Sequence, residues 1–260
     1  MLVALPEVLI GRILFSGYLP TTWTCTIGLM LVCKKFEELG HTYIAVVNNR
    51  DRFVYHAKTQ RPVVLSVLGI GKFARNLVYL DMSFCANVDY SDQKLVEMFR
   101  QLKPTLRGLS LRGSRVSDSF LVAAVAELTN LRYLNISQGA RADKELVTDV
   151  GGLALTELRH LKWLNMSMTL ITDKTIIALQ KNCPWMEHLE LYGCPQLTDV
   201  MFQALVLWKL QELDISNNQN FTIQGIKSLC DARYVIRRIS LLIVPLILLF
   251  LANNTCFKTQ

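Results

Sequence analysis

The chain has 260 residues, 51% of them apolar, and carries 28 lysines and arginines against 21 aspartates and glutamates for a net charge of +7. That length accommodates one small head and one larger body with a proper core; the seven cysteines, odd in number and without a CxxC pair, argue against a disulfide framework or a zinc site and suit a reducing compartment, cytoplasm or nucleus. The positive excess is uneven, with nine basic and four acidic side chains in residues 1–75 against 19 and 17 in the remainder, and without a nucleic-acid motif or an interleaved stacking platform it reads as solvated surface rather than a nucleic-acid site.

The opening MLVALPEVLIGR lacks a basic n-region, and Glu7 and Arg12 interrupt its apolar run, so it does not read as a signal peptide. After Pro6, suited to a first helical turn, Leu5, Leu9, Ile13 and Leu14 recur at helical spacing. A second apolar stretch over residues 27–32 runs into Val32, Cys33, Lys34, Lys35 and Phe36. From the residues alone, 1–40 is a small helical module that caps the apolar end of whatever follows. The order L-P-E-x-L-x-x-x-I-L, then Y-L-P (Tyr18, Leu19, Pro20), then V-C-K-x-F-x-x-L ending on Leu39 resembles an F-box. Thr21, Thr22 and Trp23 stand where that family has an acidic-leucine pair. The resemblance implies a three-helix module that docks the Skp-type adaptor of a cullin ligase core through Leu5, Pro6, Leu9, Ile13, Leu14, Val32, Cys33 and Phe36. Residues 41–75 read as a linker or a degenerate first repeat, with 63–68 as an irregular strand.

Beyond them one phrase recurs: NLVYLDMS from Asn76, TLRGLSLR from Thr105, NLRYLNIS from Asn130, HLKWLNMS from His160, WMEHLELY from Trp185 and KLQELDIS from Lys209. Its first anchors, Leu77, Leu106, Leu131, Leu161, Met186 and Leu210, follow at steps of 24 to 30 residues, and VIRRISLL from Val235 opens a weaker seventh copy. The pattern LxxLxL at such a period marks a leucine-rich-repeat solenoid, an α/β horseshoe with a parallel sheet on its concave face, here over residues 76–238. Each copy predicts a short strand followed by a turn and a helical stretch, such as SDSFLVAAVAEL from Ser117 and TDKTIIALQKNC from Thr172, both opening on a capping hydroxyl. One strand and one helix cannot bury their own apolar side, so each copy needs its neighbours. In the best-formed copy, Cys183, Pro184, Leu189, Leu191, Cys194, Leu197, Thr198 and Asp199 resemble the cysteine-containing repeat subclass found mainly in F-box proteins. Together the two resemblances imply a ligase subunit whose head holds the adaptor and whose repeats hold a protein substrate.

If the leucines point inward, alternation turns the residues between them toward the hollow. The first exposed column is then Tyr79, Gly108, Tyr133, Trp163, His188, Glu212 and Arg238; the second is Asp81, Ser110, Asn135, Asn165, Glu190, Asp214 and Ser240; the third includes Ser83, Arg112, Ser137, Ser167, Tyr192 and Ser216. With strands about 4.8 Å apart, Tyr133, Trp163 and His188 are predicted to form an aromatic ladder. Solvent-facing rings on a rigid sheet are typical binding hot spots, though cross-strand stacking alone would also account for them. The candidate substrate face is Tyr79, Tyr133, Asn135, Trp163, Asn165, His188, Glu190, Tyr192 and Asp214. No nucleophile is spaced to act with His188 and no phosphate loop occurs, so the sequence points to neither an enzyme nor a cofactor.

Residues 239–252 form a charge-free apolar run after Arg237 and Arg238. As a helix they would reach about 21 Å, short of a ~30 Å hydrocarbon layer, and Pro245 would break it. One reading makes 239–260 a membrane tail anchor; the other assigns Ile236, Ile239 and Leu241 to the seventh strand, with an apolar cap behind it.

Overall fold

In the computed structural model the described residues are 46–47, 76–85, 88–139, 147–231 and 238–240. They form eight short strands: β1 (Val46–Val47), β2 (Tyr79–Asp81), β3 (Gly108–Ser110), β4 (Tyr133–Asn135), β5 (Trp163–Asn165), β6 (His188–Glu190), β7 (Glu212–Asp214) and β8 (Arg238–Ser240). All pair in parallel and in chain order as one sheet. The intervening helices are α1 (Gln93–Leu102), α2 (Asp118–Phe120), which continues as a π turn over Leu121–Val125, α3 (Asp149–Ala154), α4 (Asp173–Asn182), α5 (Phe202–Leu205) and α6 (Ile223–Asp231). The fold is the leucine-rich-repeat solenoid that the recurring phrase predicts.

Three aliphatic columns build the core. Leu77, Leu106, Leu131, Leu161, Met186 and Leu210 form the first; Leu80, Leu109, Leu134, Leu164, Leu189 and Leu213 the second; Met82, Leu111, Ile136, Met166, Leu191 and Ile215 the third, and all are buried. Each such side chain contributes about 2 kcal/mol on leaving water, but only while the rungs above and below cover it. Pairing is in strict register, Leu80 to Leu109 to Leu134 to Leu164 to Leu189 to Leu213 to Ile239, so β8 occupies the place of a seventh copy. Rung-to-rung bonding continues past the three-residue strands, as in Leu111 N–H to Asn135 O at 2.7 Å and Met166 N–H to Glu190 O at 3.0 Å. The leading strand lies at Val46–Val47, within the segment read as a linker or degenerate repeat. Residues 63–68, expected as an irregular strand there, fall outside the described residues, as do the whole 1–40 module and residues 241–260.

Three residues past the ends of β2, β3, β5, β6 and β7 the chain reverses through a left-handed residue: Phe84 (φ 61°), Gly113 (64°), Met168 (62°), Gly193 (63°) and Asn217 (58°). The next residue turns inward and satisfies buried carbonyls. Ser114 Oγ donates to Met82 O, Thr169 Oγ1 and Cys194 Sγ both donate to Met166 O, and Asn218 Nδ2 donates to Leu191 O and Ile215 O. Cysteine serves there as a small core side chain with a weak donor. Cys85, Cys183 and Cys194 are free and buried. Burial pushes the thiols of Cys85 and Cys183 up to about 12 and raises that of Cys194 as well.

The helix starts are tied across repeats. Thr148, Thr172 and Thr198 each accept from the N–H of the second residue that follows, capping their own helical turn, and Ser117 caps α2. The Asp beside each then caps the next repeat. Asp118 accepts from Thr148 N–H, Asp149 from Thr172, Asp173 from Thr198 and Asp199 from Thr222, each at 2.9 Å, and the threonine hydroxyl donates to the second carboxylate oxygen in every case. The series stops where Ile223 replaces the acid. Gly151 lets Asp118 approach, since an added Cβ would sit 2.5 Å from its Oδ1.

Asp149 also accepts from the buried Thr175 hydroxyl at 2.6 Å. Burial alone would raise its carboxyl, but the bonds from Thr172 and Thr175 and the nearby Lys174 outweigh it and hold the pKa below the ordinary value. A lowered carboxyl stabilises the folded state above its unfolded pKa, and that contribution fades as pH falls through the folded value. Asp149→Ala is therefore expected to cost about 2 kcal/mol of unfolding free energy at neutral pH, with the difference from wild type shrinking below about pH 4; denaturant titrations at two pH values check both. Alkylation of the native chain followed by peptide mapping is expected to leave Cys85, Cys183 and Cys194 unlabelled, because the thiolate is the reactive species, and to label all three after unfolding.

Candidate functional site on the concave wall

The register reproduces the inferred columns: Tyr79, Gly108, Tyr133, Trp163, His188, Glu212 and Arg238 are successive partners, as are Asp81, Ser110, Asn135, Asn165, Glu190, Asp214 and Ser240. The first column is the more accessible. Tyr79, Tyr133, Trp163, His188 and Glu212 are each half-buried, and Gly108 is buried.

Tyr133 and Trp163 stack as adjacency suggests, and Tyr79 joins them from two rungs away. Tyr133 and Trp163 lie nearly parallel, centroids 4.2 Å apart and planes 14° apart. Tyr79 reaches across the β3 rung to Tyr133, with centroids 5.8 Å apart. It can do so because the intervening residue is Gly108, where a Cβ would overlap the Tyr79 ring. The platform is thus Tyr79–Tyr133–Trp163. His188, on the rung after Trp163, turns its Nδ1 to Glu212 Oε2 at 3.1 Å. The Tyr79 hydroxyl titrates well above its usual range, through burial first and then the proximity of Tyr133 and Asp81; the Tyr133 hydroxyl is raised by burial, with Glu190 and Asp81 adding to it. Both are neutral hydrogen-bonding groups at any physiological pH.

The second column is largely occupied by its own backbone. Asp81, Asn135, Asn165 and Asp214 each accept from the N–H of the serine two residues on, Ser83, Ser137, Ser167 and Ser216, at 2.8 to 3.0 Å. These turns close the strands. Asn135 and Asn165 are 6% and 8% exposed, so they act chiefly as supports for the wall and offer a partner little surface. The sequence places both in the candidate substrate face, and the recurring Asx-x-Ser spacing is the signature of such a local turn. Glu190, by contrast, is half-buried and accepts from Asn165 Nδ2. Burial raises its carboxyl, and the neighbouring charges of Asp214 and Glu212 raise it further, against smaller downward pulls from Arg112 and His188.

Of the third column, Tyr192 is exposed at the rim, and Arg112 lies over the Phe84 ring, 5.5 Å from its centroid. Phe84 was not anticipated as a surface residue; it is 57% exposed. The structure therefore brings Tyr79, Tyr133, Trp163, His188, Glu190, Tyr192 and Asp214 onto one face. The expected adaptor contacts, Leu5, Pro6, Leu9, Ile13, Leu14, Val32, Cys33 and Phe36, lie outside the described residues. Among the described residues no group of three or more His, Cys, Asp or Glu side chains is placed to hold a metal ion, and no helix is long and apolar enough to cross a membrane.

The leucine-rich-repeat family model matches residues 209–230, the stretch that carries β7 and most of α6. Over 94 residues the chain is 37% identical to the coronatine-insensitive protein homolog 2 of Oryza sativa subsp. indica, and equally to that of subsp. japonica, which is 35% of this chain and 15% of either rice protein. The chain thus spans a small part of the length of the curated relatives it matches. Among solved structures, the yeast Rad7 and Elc1 complex aligns at 18% identity with a TM-score of 0.42, over 68% of this chain and 53% of the other. An internalin of Listeria monocytogenes aligns at 16% identity with a TM-score of 0.41, over 68% and 57%. The family match and the coordinates coincide at β7 and α6: this rung is a leucine-rich repeat by sequence and by structure.

Proposed function

We propose that this chain is the substrate-recognition subunit of a Skp–cullin–F-box-type ubiquitin ligase, with residues 1–40 holding the adaptor and the concave wall holding a protein to be ubiquitinated. The observation that carries the recognition half is the Tyr79–Tyr133–Trp163 platform, three half-buried rings held in register on a rigid sheet. Large apolar rings half-open to solvent retain surface that a partner can cover, and rigid presentation lowers the entropy cost of binding. Gly108 favours this reading over stacking for stability alone. A β-branched residue there would serve the sheet better, whereas glycine weakens the strand and brings Tyr79 onto Tyr133. The ligase half rests on the F-box-like order of Leu5, Pro6, Glu7, Leu9, Val32, Cys33 and Phe36 ahead of the repeats. A non-ligase interaction scaffold whose head only caps the solenoid uses the same wall and differs in the adaptor alone.

Trp163→Ala is expected to abolish co-isolation of the captured protein while costing only about 1 kcal/mol of stability, the worth of one stacked pair. Gly108→Ala, which displaces Tyr79, should weaken capture as well; a large fall in Tm with capture intact would assign the rings to stability instead. A pull-down with purified Skp-type adaptor is expected to retain the full chain and to lose the variant carrying both Leu5→Ala and Pro6→Ala. Failure of the intact chain to bind adaptor would leave the scaffold reading in place of the ligase.

A further inference from the structure

We propose that the segment taken by the concave wall is cationic: an extended stretch of the partner protein whose lysine or arginine side chains pair with Glu190 and Asp214 beside the aromatic platform. This deepens the recognition reading above and rests on it.

The chain as a whole is basic, at +7, so a generic expectation would be an acidic partner. At β6 and β7 the wall carries the opposite sign. Glu190, Glu212 and Asp214 occupy two adjacent rungs, β6 and β7, with Glu190 directly partnered to Asp214 and Asp81 further along the same column. Of the cations on the wall, Arg112 and His188 act on Glu190 less than burial and the neighbouring acids do, and Arg238 is the β8 register partner of Glu212. His188 faces Glu212, and Arg112 lies on the Phe84 ring at the rim. Among the described residues no lysine or arginine forms an ion pair with Glu190 or Asp214. Asp214 Oδ1 accepts from Ser216 N–H, and Glu190 accepts from the neutral Asn165 amide. Like charges so placed repel one another, and the Glu190 carboxyl is raised first by burial and then by Asp214 and Glu212. A cation entering the hollow relieves it, whereas an acidic segment would add to it.

The acids and the rings stand in adjacent columns of one sheet, Trp163 pairing with His188 and Asn165 with Glu190. Trp163, the last ring of the stack, lies on the rung next to His188 and Glu190. Arginine suits such a place, because its planar guanidinium stacks on aromatic faces and forks onto carboxylates. Partial withdrawal from water strengthens each pairing relative to an exposed one.

The test uses the full chain and three short labelled peptides of equal length, one rich in lysine and arginine, one rich in glutamate and one of serine and glutamine, with binding read by fluorescence anisotropy. The basic peptide is expected to bind at least about tenfold more tightly than the neutral one, to weaken as salt is raised, and to outcompete the acidic one. The double variant Glu190→Gln, Asp214→Asn should lose about tenfold in affinity for it. Folding is expected to survive, because Asn135 and Asn165 already make the Asp214-type turn in other rungs, and removing the repelling carboxylate should leave Tm at neutral pH unchanged or higher. Equal binding of all three peptides, tighter binding of the acidic one, no binding of the basic one, or basic binding untouched by the double variant would each overturn the proposal. If capture of the cellular partner is lost in Trp163→Ala but kept in the double variant, the wall remains the recognition face and only its cationic preference fails. If Trp163→Ala keeps capture, the recognition reading itself has failed.

Discussion

No rung of this solenoid is complete by itself. The leucine of one strand is covered by the leucines of the next, the N–H groups beyond each three-residue strand find their acceptors one rung on, and the aspartate at one helix start caps the threonine of the following repeat. Stability is therefore held between neighbours, and the interlock has two walls: an aliphatic and hydrogen-bonded one along the sheet, and a polar one through the Thr-Asp pairs at the helix starts. Everything that faces the hollow depends on it, because side chains borne by separate rungs can form one surface only if the rungs keep register.

That dependence explains how the face divides its labour. Positions that could project polar groups into the hollow are partly used to end the strands, as with Asn135 and Asn165, whose amides close tight turns on Ser137 and Ser167. The rings of Tyr79, Tyr133 and Trp163 make no such turns, and Glu190 reaches across the column instead of back to its own strand. Asp214 makes the Asn-type turn on Ser216 yet stays half-buried, unlike Asn135 and Asn165. A glycine at rung β3 adds to this: by leaving a gap it joins two tyrosines that the strand order would keep apart.

The repeat itself was fully legible in the sequence, because a strand with one buried face must place leucine at alternate positions and a stack must repeat that spacing. Ile239 could be assigned in advance to the seventh strand on the same ground, and the structure pairs it with Leu213. The strand at Val46–Val47 could not be anticipated, since two valines without the LxxLxL frame carry no period. The capping role of Ser117 and Thr172 followed from residue type, but the second role of the neighbouring aspartates did not, because a bond to the next repeat has no local signature. Tyr133 and Trp163 were correctly placed as neighbours. His188 follows Trp163 in register and directs its Nδ1 to Glu212 on the next rung, a contact that the column order alone did not disclose.

The central claim is that a partner sits in the hollow and not on the helical back of the solenoid. The most direct measurement places a photo-crosslinking phenylalanine analogue at Tyr133 on the concave wall or at Val150, 63% exposed on the convex side, and compares the adducts formed with the co-isolated protein. The account predicts adducts from the Tyr133 position and none from Val150. Adducts from Val150 alone would contradict it.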